Sequence, residues 1–567
     1  MNYIKQYGIR GFCFLVKNKL KNYLLKEGEY DLGYPLLKGE PEINVIIYGK
    51  GHKVLSLTAL KKQKYKNFNL EGKGEYTAFL PAGDVLKEEA LYLMVEKLIR
   101  EGADAVYCDE EKFFKPDFSP DTLNSCDYIG FFIIKSELAG NYKHPYDLLK
   151  GNIKVAHCAR PLVKSERELE FYGEEIKGAS GGVSIIIPSK DNIDTLKNCI
   201  DSIRNKLTYK NYEIIVTDNG SNKENAEKAK ALADKYIYEE CEFNFSYMCN
   251  IGARAAEKRF LLFLNDDTQV ISPDLLERMT YYAAKPESGA VGAKLYYPEG
   301  EIIQHCGVIN IQPGPAHAFL GERDSACLYN GRNRGVWNYT AVTGACLMVE
   351  KTKFPGFDED FKVSYNDVAL CFSLLEKGYY NMVVNEAKLY HFESLSRGDD
   401  RLSKEKLKRL ALERERLFDK HPYFSGRDDF YNINLSPYRV DFSKRNFSLY
   451  KRDFKEIKEP KSGDFTYKLE YVLSSDWVMI SGYGFKGLNS RVYVLLKNNE
   501  GRIYRFKPLR EMRVDAQAIH GRKALLGGFC LMLGATCLPE GRYTVGLMVG
   551  GKAIFTSKQA EFLAGRG

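Results

Sequence analysis

The sequence predicts an α/β protein that ends in an all-β module, and three patterns carry the prediction. From Val183 to about Ala387, short β-rich runs alternate with amphipathic helices, as in a mainly parallel sheet covered on both faces. From Glu42 to Lys135 a sparser set of apolar runs (Asn44–Tyr48, Thr77–Leu80, Ala105–Cys108, Phe131–Ile134) surrounds one helical stretch, Leu86–Arg100. From about Phe465 short strands (Trp477–Ser481, Val492–Leu496, Tyr543–Val549) are separated by Gly and Asn turns. A chain of 567 residues exceeds one compact core. We therefore expect three domains, 1–177, 183–437 and 438–567, with Gly178–Gly182 as a linker.

Composition narrows the class. With 44% hydrophobic and 28% charged residues the chain is neither fibrous nor disordered. A net charge of +8 suits an anionic ligand or a membrane surface without identifying either. The basic residues are not gathered with aromatics, so no nucleic-acid partner is expected. Thirteen cysteines without a C-x-x-C pair argue for reduced thiols and a cytoplasmic location. No apolar run is long enough for a membrane-spanning helix, and Gly11–Val16 is too short for a signal peptide. Segment Ile9–Leu25 mixes Phe12, Phe14 and Leu15 with Arg10, Lys17, Lys19 and Lys21. A packed helix with a basic outer face is preferred there over peripheral membrane association.

In the central region Val183–Pro188 is β-branched and free of charge, as a buried strand requires. It runs out at Pro188-Ser189-Lys190-Asp191-Asn192, before a helix with Leu196, Ile200 and Ile203 on one face. A second strand, Glu213–Thr217, ends at Asp218-Asn219-Gly220-Ser221. Ligands of open parallel sheets bind beyond the carboxyl ends of strands, so two strands deliver an Asp to one rim. There a carboxylate accepts hydrogen bonds from a base imide or ribose hydroxyl; helix capping by the neighbouring residues is the competing role. A third strand, Phe260–Leu264, ends at Asn265-Asp266-Asp267-Thr268. Adjacent carboxylates after a buried strand are costly unless paired, and Mg2+ or Mn2+ bridging to a diphosphate is a natural partner. A polar turn explains the same residues without a metal.

Taken in order, Pro188-x-x-Asp191, Thr217–Ser221 and Leu264–Thr268 resemble the family 2 glycosyltransferases of the A-type (GT-A) fold. Asn250–Ala256, Thr343–Val349, Gly356–Glu359, Tyr365–Leu370 and Tyr390–Arg397 extend the resemblance, the last towards O-antigen and rhamnan assembly. The match covers roughly 215 residues and is specific as an ensemble, each motif being weak alone. The resemblance implies that Pro188, Asp191, Asp218, Asn219, Asn250, Arg254, Asp266 and Arg397 hold the donor nucleotide. It implies Asp267 and His391 as metal ligands, with Asn265 standing where relatives carry the first Asp of Asp-x-Asp. Asp367 is implied as general base, Asn366 filling a position that is often acidic. A free Asp titrates near about 4 and is a weak base, so burial or close positioning must assist it. The family inverts the anomeric centre by in-line attack.

The implied activity is transfer of a sugar from a nucleotide-diphosphate sugar to a glycan or lipid-linked acceptor, at the inner face of a bacterial membrane. The N-terminal region echoes the central one, Phe79–Asp84 resembling Phe263–Thr268, each followed by an Ala-Val strand. It lacks the nucleoside-strand Pro and Asp and so reads as a degenerate GT-A-like copy; Asp109 and Glu110 would be the carboxylates of any second site. Trp477, Tyr483 and Tyr493 of the β module are read as core before sugar platforms. Two other functions stay open: an inactive carbohydrate-binding scaffold, and a sugar-nucleotide pyrophosphorylase. The latter needs a Gly-rich phosphate loop that Ile187–Asp191 does not contain.

Overall fold

A computed structural model of the chain describes residues 34–70, 72–172, 176–312, 314–392, 404–445, 454–488 and 490–565. Arg397 and the Ile9–Leu25 segment lie outside the described residues.

The N-terminal domain runs β1 (Ile43–Tyr48), α1 (Lys53–Lys61), β2 (Phe68–Leu70), β3 (Tyr76–Pro81), β4 (Val85–Leu86), α2 (Ala90–Glu101), β5 (Ala105–Glu110), β6 (Phe132–Lys135) and β7 (Val155–Lys164). Its sheet has the order β2-β1-β3-β6-β5-β7-β4. The predicted helix at Leu86 starts later, at Ala90, because Val85–Leu86 pairs as an edge strand with β7.

In the central domain β8 (Val183–Ser189), α3 (Ile193–Lys206), β9 (Tyr212–Asp218), α4 (Lys223–Leu232), β10 (Lys235–Tyr238) and α5 (Phe245–Ala255) come first. Next are β11 (Phe260–Leu264), β12 (Thr268–Val270), α6 (Leu275–Ala283) and β13 (Ser288–Tyr296). Short strands β14 (Ile303–His305), β15 (Val308–Asn310), β16 (Pro315–His317) and β17 (Val336–Asn338) lead to β18 (Cys346–Glu350). Then follow α7 (Asn366–Glu376), β19 (Tyr380–His391) and α8 (Lys404–Lys420). The main path of the sheet is β10-β9-β8-β11-β18-β13-β19-β12. It is mixed rather than mainly parallel, because β18 inserts antiparallel between β11 and β13 and β12 closes antiparallel on β19.

The alternation of a strand's side chains explains the two-faced packing. Ile185 and Ile187 of β8 join Leu196, Ile200 and Ile203 of α3 in one core. Ile186, between them, joins Cys249 and Ala253 of α5 in the core on the opposite face. That second core is continuous with the N-terminal domain, taking in Phe79, Tyr107 and Tyr128 beside Trp337 and Tyr339. The C-terminal module is all-β in its framework, a five-stranded and a four-stranded sheet joined through Val478, Ile480, Val545 and Leu547, with a short α-helix, Val514–His520, among its described residues. Trp477 and Tyr483 are buried in it, as core residues.

The echo between the first two domains is topological as well as sequential. Reading β9-β8-β11-β18-β13-β19-β12 against β2-β1-β3-β6-β5-β7-β4, all seven strands correspond in position and chain order. Each neighbouring pair also has the same sense, parallel or antiparallel, in both sheets.

Candidate functional site

The parallel pairing of β8 and β9 puts Ser189 opposite Asp218, so their ends share one rim. Pro188 faces Thr217 one step earlier. Asp191 follows with φ of 56°, a left-handed conformation that Asp tolerates better than most residues. Its N–H donates to Ser221 Oγ (2.8 Å), and its Oδ1 accepts from Asn222 N (3.0 Å), Asn222 Nδ2 (2.8 Å) and Asn225 Nδ2 (3.1 Å). These bonds, the Asn222 backbone bond foremost, hold the exposed carboxyl below its usual range. Asp218 is buried, and its two oxygens accept from Ser221 N (2.8 Å) and Tyr236 Oη (2.7 Å). Asn219 Nδ2 donates to the Glu239 and Cys241 carbonyls, at 3.3 and 3.0 Å. Asp191 therefore sits at the lip while Asp218 and Asn219 build the loop beneath it.

At the end of β11, Asp266 Oδ2 accepts from Ser189 Oγ (2.6 Å), tying the two strand ends together. Burial, together with the charge of Asp267, pushes the Asp266 carboxyl up to about 6. The antiparallel pairing of β12 with β19 sets Thr268 opposite His391, which brings the imidazole to Asp267. His391 Nδ1 donates to Gln304 Oε1 (2.6 Å), and that bond fixes the tautomer. Nε2 is then an acceptor, taking the Asn265 Nδ2 bond at 3.2 Å, and it lies 3.1 Å from Asp267 Oδ1. Two acceptors facing at that distance call for positive charge between or beside them.

Among the described residues no group of three or more His, Cys, Asp or Glu is assembled around one point. The pair Asp267 and His391 nevertheless fits a hard divalent ion that draws its remaining ligands from water and a diphosphate. The second carboxylate, Asp266, is held by Ser189 at the edge of that set.

Asp367 opens α7, with Oδ1 accepting from Val368 N and Oδ2 from Gly344 N, both at 2.8 Å. It therefore satisfies a backbone N–H in the first turn of its helix and is also fixed to the segment before β18. That segment touches the Asn265–Asp267 loop, since Asn265 N donates to Ala345 O at 3.1 Å. Tyr365, two residues before Asp367, has φ of 59°, which is strained for a bulky residue. Asn250, expected at the donor, has its amide committed elsewhere: Nδ2 donates to Phe357 O and Glu359 Oε1, both at 2.9 Å, and Oδ1 accepts from Phe357 N at 2.8 Å. It holds the Gly356–Glu359 loop, whose sequence was singled out with the base. Arg254 stands exposed in the last turn of α5.

Sequence reasoning assigned no individual role to Gln304, His305 or Tyr365. Gln304 orients His391. His305 is buried and pushed well below the usual histidine range by burial and by His317 and His391; its Nδ1 lies 2.9 Å from His317 Nδ1. Gln304 and His305 follow the polar stretch after β13, and Tyr365 opens the Tyr365–Leu370 motif.

Residues 184–305 match the family model described as glycosyl transferase family 2. An uncharacterized protein, y4gI, of Sinorhizobium fredii is 29% identical over 65% of this chain and 49% of its own length. The O-antigen biosynthesis protein RfbC of Myxococcus xanthus is 29% identical over 58% of this chain and 32% of its own. The chain thus spans about half the length or less of these curated relatives. Among solved structures, a mannosyltransferase of Pyrobaculum calidifontis in complex with GDP-Man and Mn2+ is 16% identical, with a TM-score of 0.32, over 42% of this chain and 64% of that one. GalNAc-T7 with UDP, GalNAc and Mn2+ is 14% identical, with a TM-score of 0.35, over 59% and 72%. The strand ends that carry Asp191, Asp218, Asp266 and Asp267 all fall inside the matched segment, so the similarity to glycosyl transferase family 2 covers the first part of the central domain, while Asp367 and His391 lie beyond it.

Proposed function

We propose that the central domain is an inverting glycosyltransferase, dependent on Mn2+ or Mg2+, that moves a hexosyl or deoxyhexosyl group from a nucleotide-diphosphate sugar to a hydroxyl of a glycan or lipid-linked acceptor. The observation that carries the reading is a join: the loop of Asp266 and Asp267 and the Asp367 carboxylate are linked through adjacent residues, Ala345 and Gly344. A metal-and-diphosphate position and a base on one rim are what sugar transfer needs.

In this reading Asp191, on the exposed lip, takes the nucleoside, and the Asp218–Ser221 loop backs it. Asp267 and His391 would hold the divalent ion, which supplies positive charge to the departing diphosphate. Asp367 accepts the proton of the acceptor hydroxyl as its oxygen attacks the anomeric carbon. The new carbon–oxygen bond forms as the bond to phosphate breaks, and the diphosphate leaves with the electron pair. The two backbone N–H bonds to Asp367 orient it and leave lone pairs for that proton. Cell-surface polysaccharide synthesis is the setting we favour, because RfbC is named for O-antigen biosynthesis. A lipid-linked acceptor would bring the enzyme to the inner face of the membrane; among the described residues no helix is long and apolar enough to cross one.

Calorimetric titration with UDP, dTDP and GDP in the presence of MnCl2 tests the reading. One nucleotide should bind in a metal-dependent way, and Asp267→Ala should abolish that binding. Asp367→Asn should keep binding while losing about 10²–10⁴ in transfer rate. Well-folded protein that binds no nucleotide would sink the proposal and favour the carbohydrate-binding scaffold.

A further inference from the structure

Two cavities share a wall formed by Asp117, Phe118, Arg427 and Asp429. The first, of about 430 Å³, lies where all three modules meet, and the second, of about 550 Å³, lies between the N-terminal and central domains. Both have the size of a small-molecule site, and no residue assigned to the donor rim lines either. The second reaches Glu376, the last residue of α7, whose first turn carries Asp367. A rise of about 1.5 Å per residue puts that end of the helix about 14 Å from the candidate base.

The shared wall is built to present polar and aromatic groups in fixed positions. Asp117 N donates to Asp429 O at 2.8 Å, and Asp117 Oδ1 accepts from His157 Nδ1 at 2.8 Å. The carboxylate is thereby oriented, yet its side chain is 53% exposed, which leaves Oδ2 for a ligand. Arg427 Nε donates to Asp429 Oδ1 at 2.6 Å, and its guanidinium lies 4.2 Å from the centre of the Tyr423 ring. Tyr423 Oη donates to Asp429 Oδ2 at 3.1 Å. The ring is held from two sides while the residue stays 47% exposed. Groups fixed in this way lose little freedom when a ligand binds.

The charges argue for the class of ligand. Arg427 is spent on Asp429, His157 on Asp117, and Lys97 on Asp476 at 3.1 Å. Such a wall lacks the concentrated positive charge that a diphosphate needs. Among the described residues no group of metal-ligating side chains forms there either. What it offers is a carboxylate acceptor, the phenols of Tyr379 and Tyr380, and an aromatic face. Hydroxyls donate to the first, and the C–H face of a sugar ring lies on the last. We infer that these two cavities form a second saccharide site, which holds a segment of a neutral glycan away from the donor rim. A chain that reaches both this site and Asp367 is an oligosaccharide. That the glycan is the acceptor rests on the transferase reading; that a glycan binds here does not.

The probe is delipidated cell-surface polysaccharide of the source organism, cut by mild acid to neutral oligosaccharides and titrated into the full chain by calorimetry. Trp477 lines the first cavity and the other tryptophan, Trp337, is fully buried, so saturable binding should also change the intrinsic fluorescence. Tyr423→Ala and Asp117→Asn should each weaken binding about 10-fold or more, with circular dichroism unchanged. Asp117→Asn keeps the shape, and Tyr423 is a surface position, so loss of folding does not imitate the result. No binding by the wild type, or binding that both variants leave undiminished, would overturn the inference. Titration of the same protein with UDP, dTDP and GDP in MnCl2 keeps the two readings apart. Glycan binding without nucleotide binding would retain this site and sink the transferase; nucleotide binding without glycan binding would do the reverse.

Discussion

His391 reaches the candidate metal position through one side chain, Gln304, whose Oε1 takes the Nδ1 proton at 2.6 Å. Without that acceptor the ring is free to hold its proton on Nε2, where it would meet the ion. Gln304→Leu should therefore weaken Mn2+ affinity about 10- to 100-fold, measured by titration, while the fold stays intact. An unchanged affinity would remove His391 from the ligand set. A second histidine gives a pH signature. Burial of His157 disfavours its charge, but Asp109 (2.9 Å) and Asp117 (2.8 Å) more than offset that and raise it to about 9. The folded value exceeds the ordinary value near about 6.5. The pair's contribution is therefore complete below that pH and is lost as pH rises through about 9. Stability should fall by about 2–3 kcal/mol between pH 6 and 10 from this group, and His157→Asn should remove that part of the slope. Urea midpoints across the range would show it; parallel slopes for the two proteins would mean that His157 is uncharged in the fold.

At the level of elements, what the sequence makes legible is what local chemistry encodes. β8, β9 and β11 are readable because charge-free apolar runs such as Ile185-Ile186-Ile187 suit a buried strand, and the carboxylates of Asp191, Asp218 and Asp267 stand at or just beyond their ends. The amphipathic α3 is readable from Leu196, Ile200 and Ile203. β4 is not, since two residues carry no periodicity and Val85–Leu86 reads equally as the start of the following helix. The antiparallel insertion of β18 is equally hidden, because strand direction is set by long-range pairing and leaves no local mark. The same limit separates the site residues. Asp367 was legible from its motif, whereas the bond from Gly344 that positions it depends on β18 lying beside β11. Asn250 shows the converse: its motif was recognisable, yet the amide is spent on holding Phe357 and Glu359.

For the whole molecule, the junction between the N-terminal domain and the β module depends on a small set of buried charges. Asp476, in the turn before the strand Trp477–Phe485, faces α2: Oδ2 lies 3.1 Å from Lys97 Nζ and Oδ1 2.6 Å from Arg100 Nη2. Glu101 and Glu96 complete the set, at 2.7 Å from Lys97 and Arg100 respectively. Burial alone would raise the Asp476 carboxyl, but Lys97, Arg160 and Arg100 pull it down to about 2. A cavity of about 430 Å³ opens beside it, lined by residues of all three modules, among them His157, Asn310, Asp429 and Trp477. The junction is thus polar and incompletely filled, unlike the apolar core shared by the first two domains. Asp476→Asn keeps the shape and removes the charge, leaving three cations, Lys97, Arg100 and Arg160, against two carboxylates, Glu96 and Glu101. Breaking such a pair costs about 3 kcal/mol or more, and the loss should fall on the junction. Scanning calorimetry should then resolve a separate, earlier transition for the β module, with Mn2+-dependent nucleotide binding by the central domain unchanged. A single transition, shifted as a whole and accompanied by weaker nucleotide binding, would mean that the β module is part of the folding unit that shapes the donor rim.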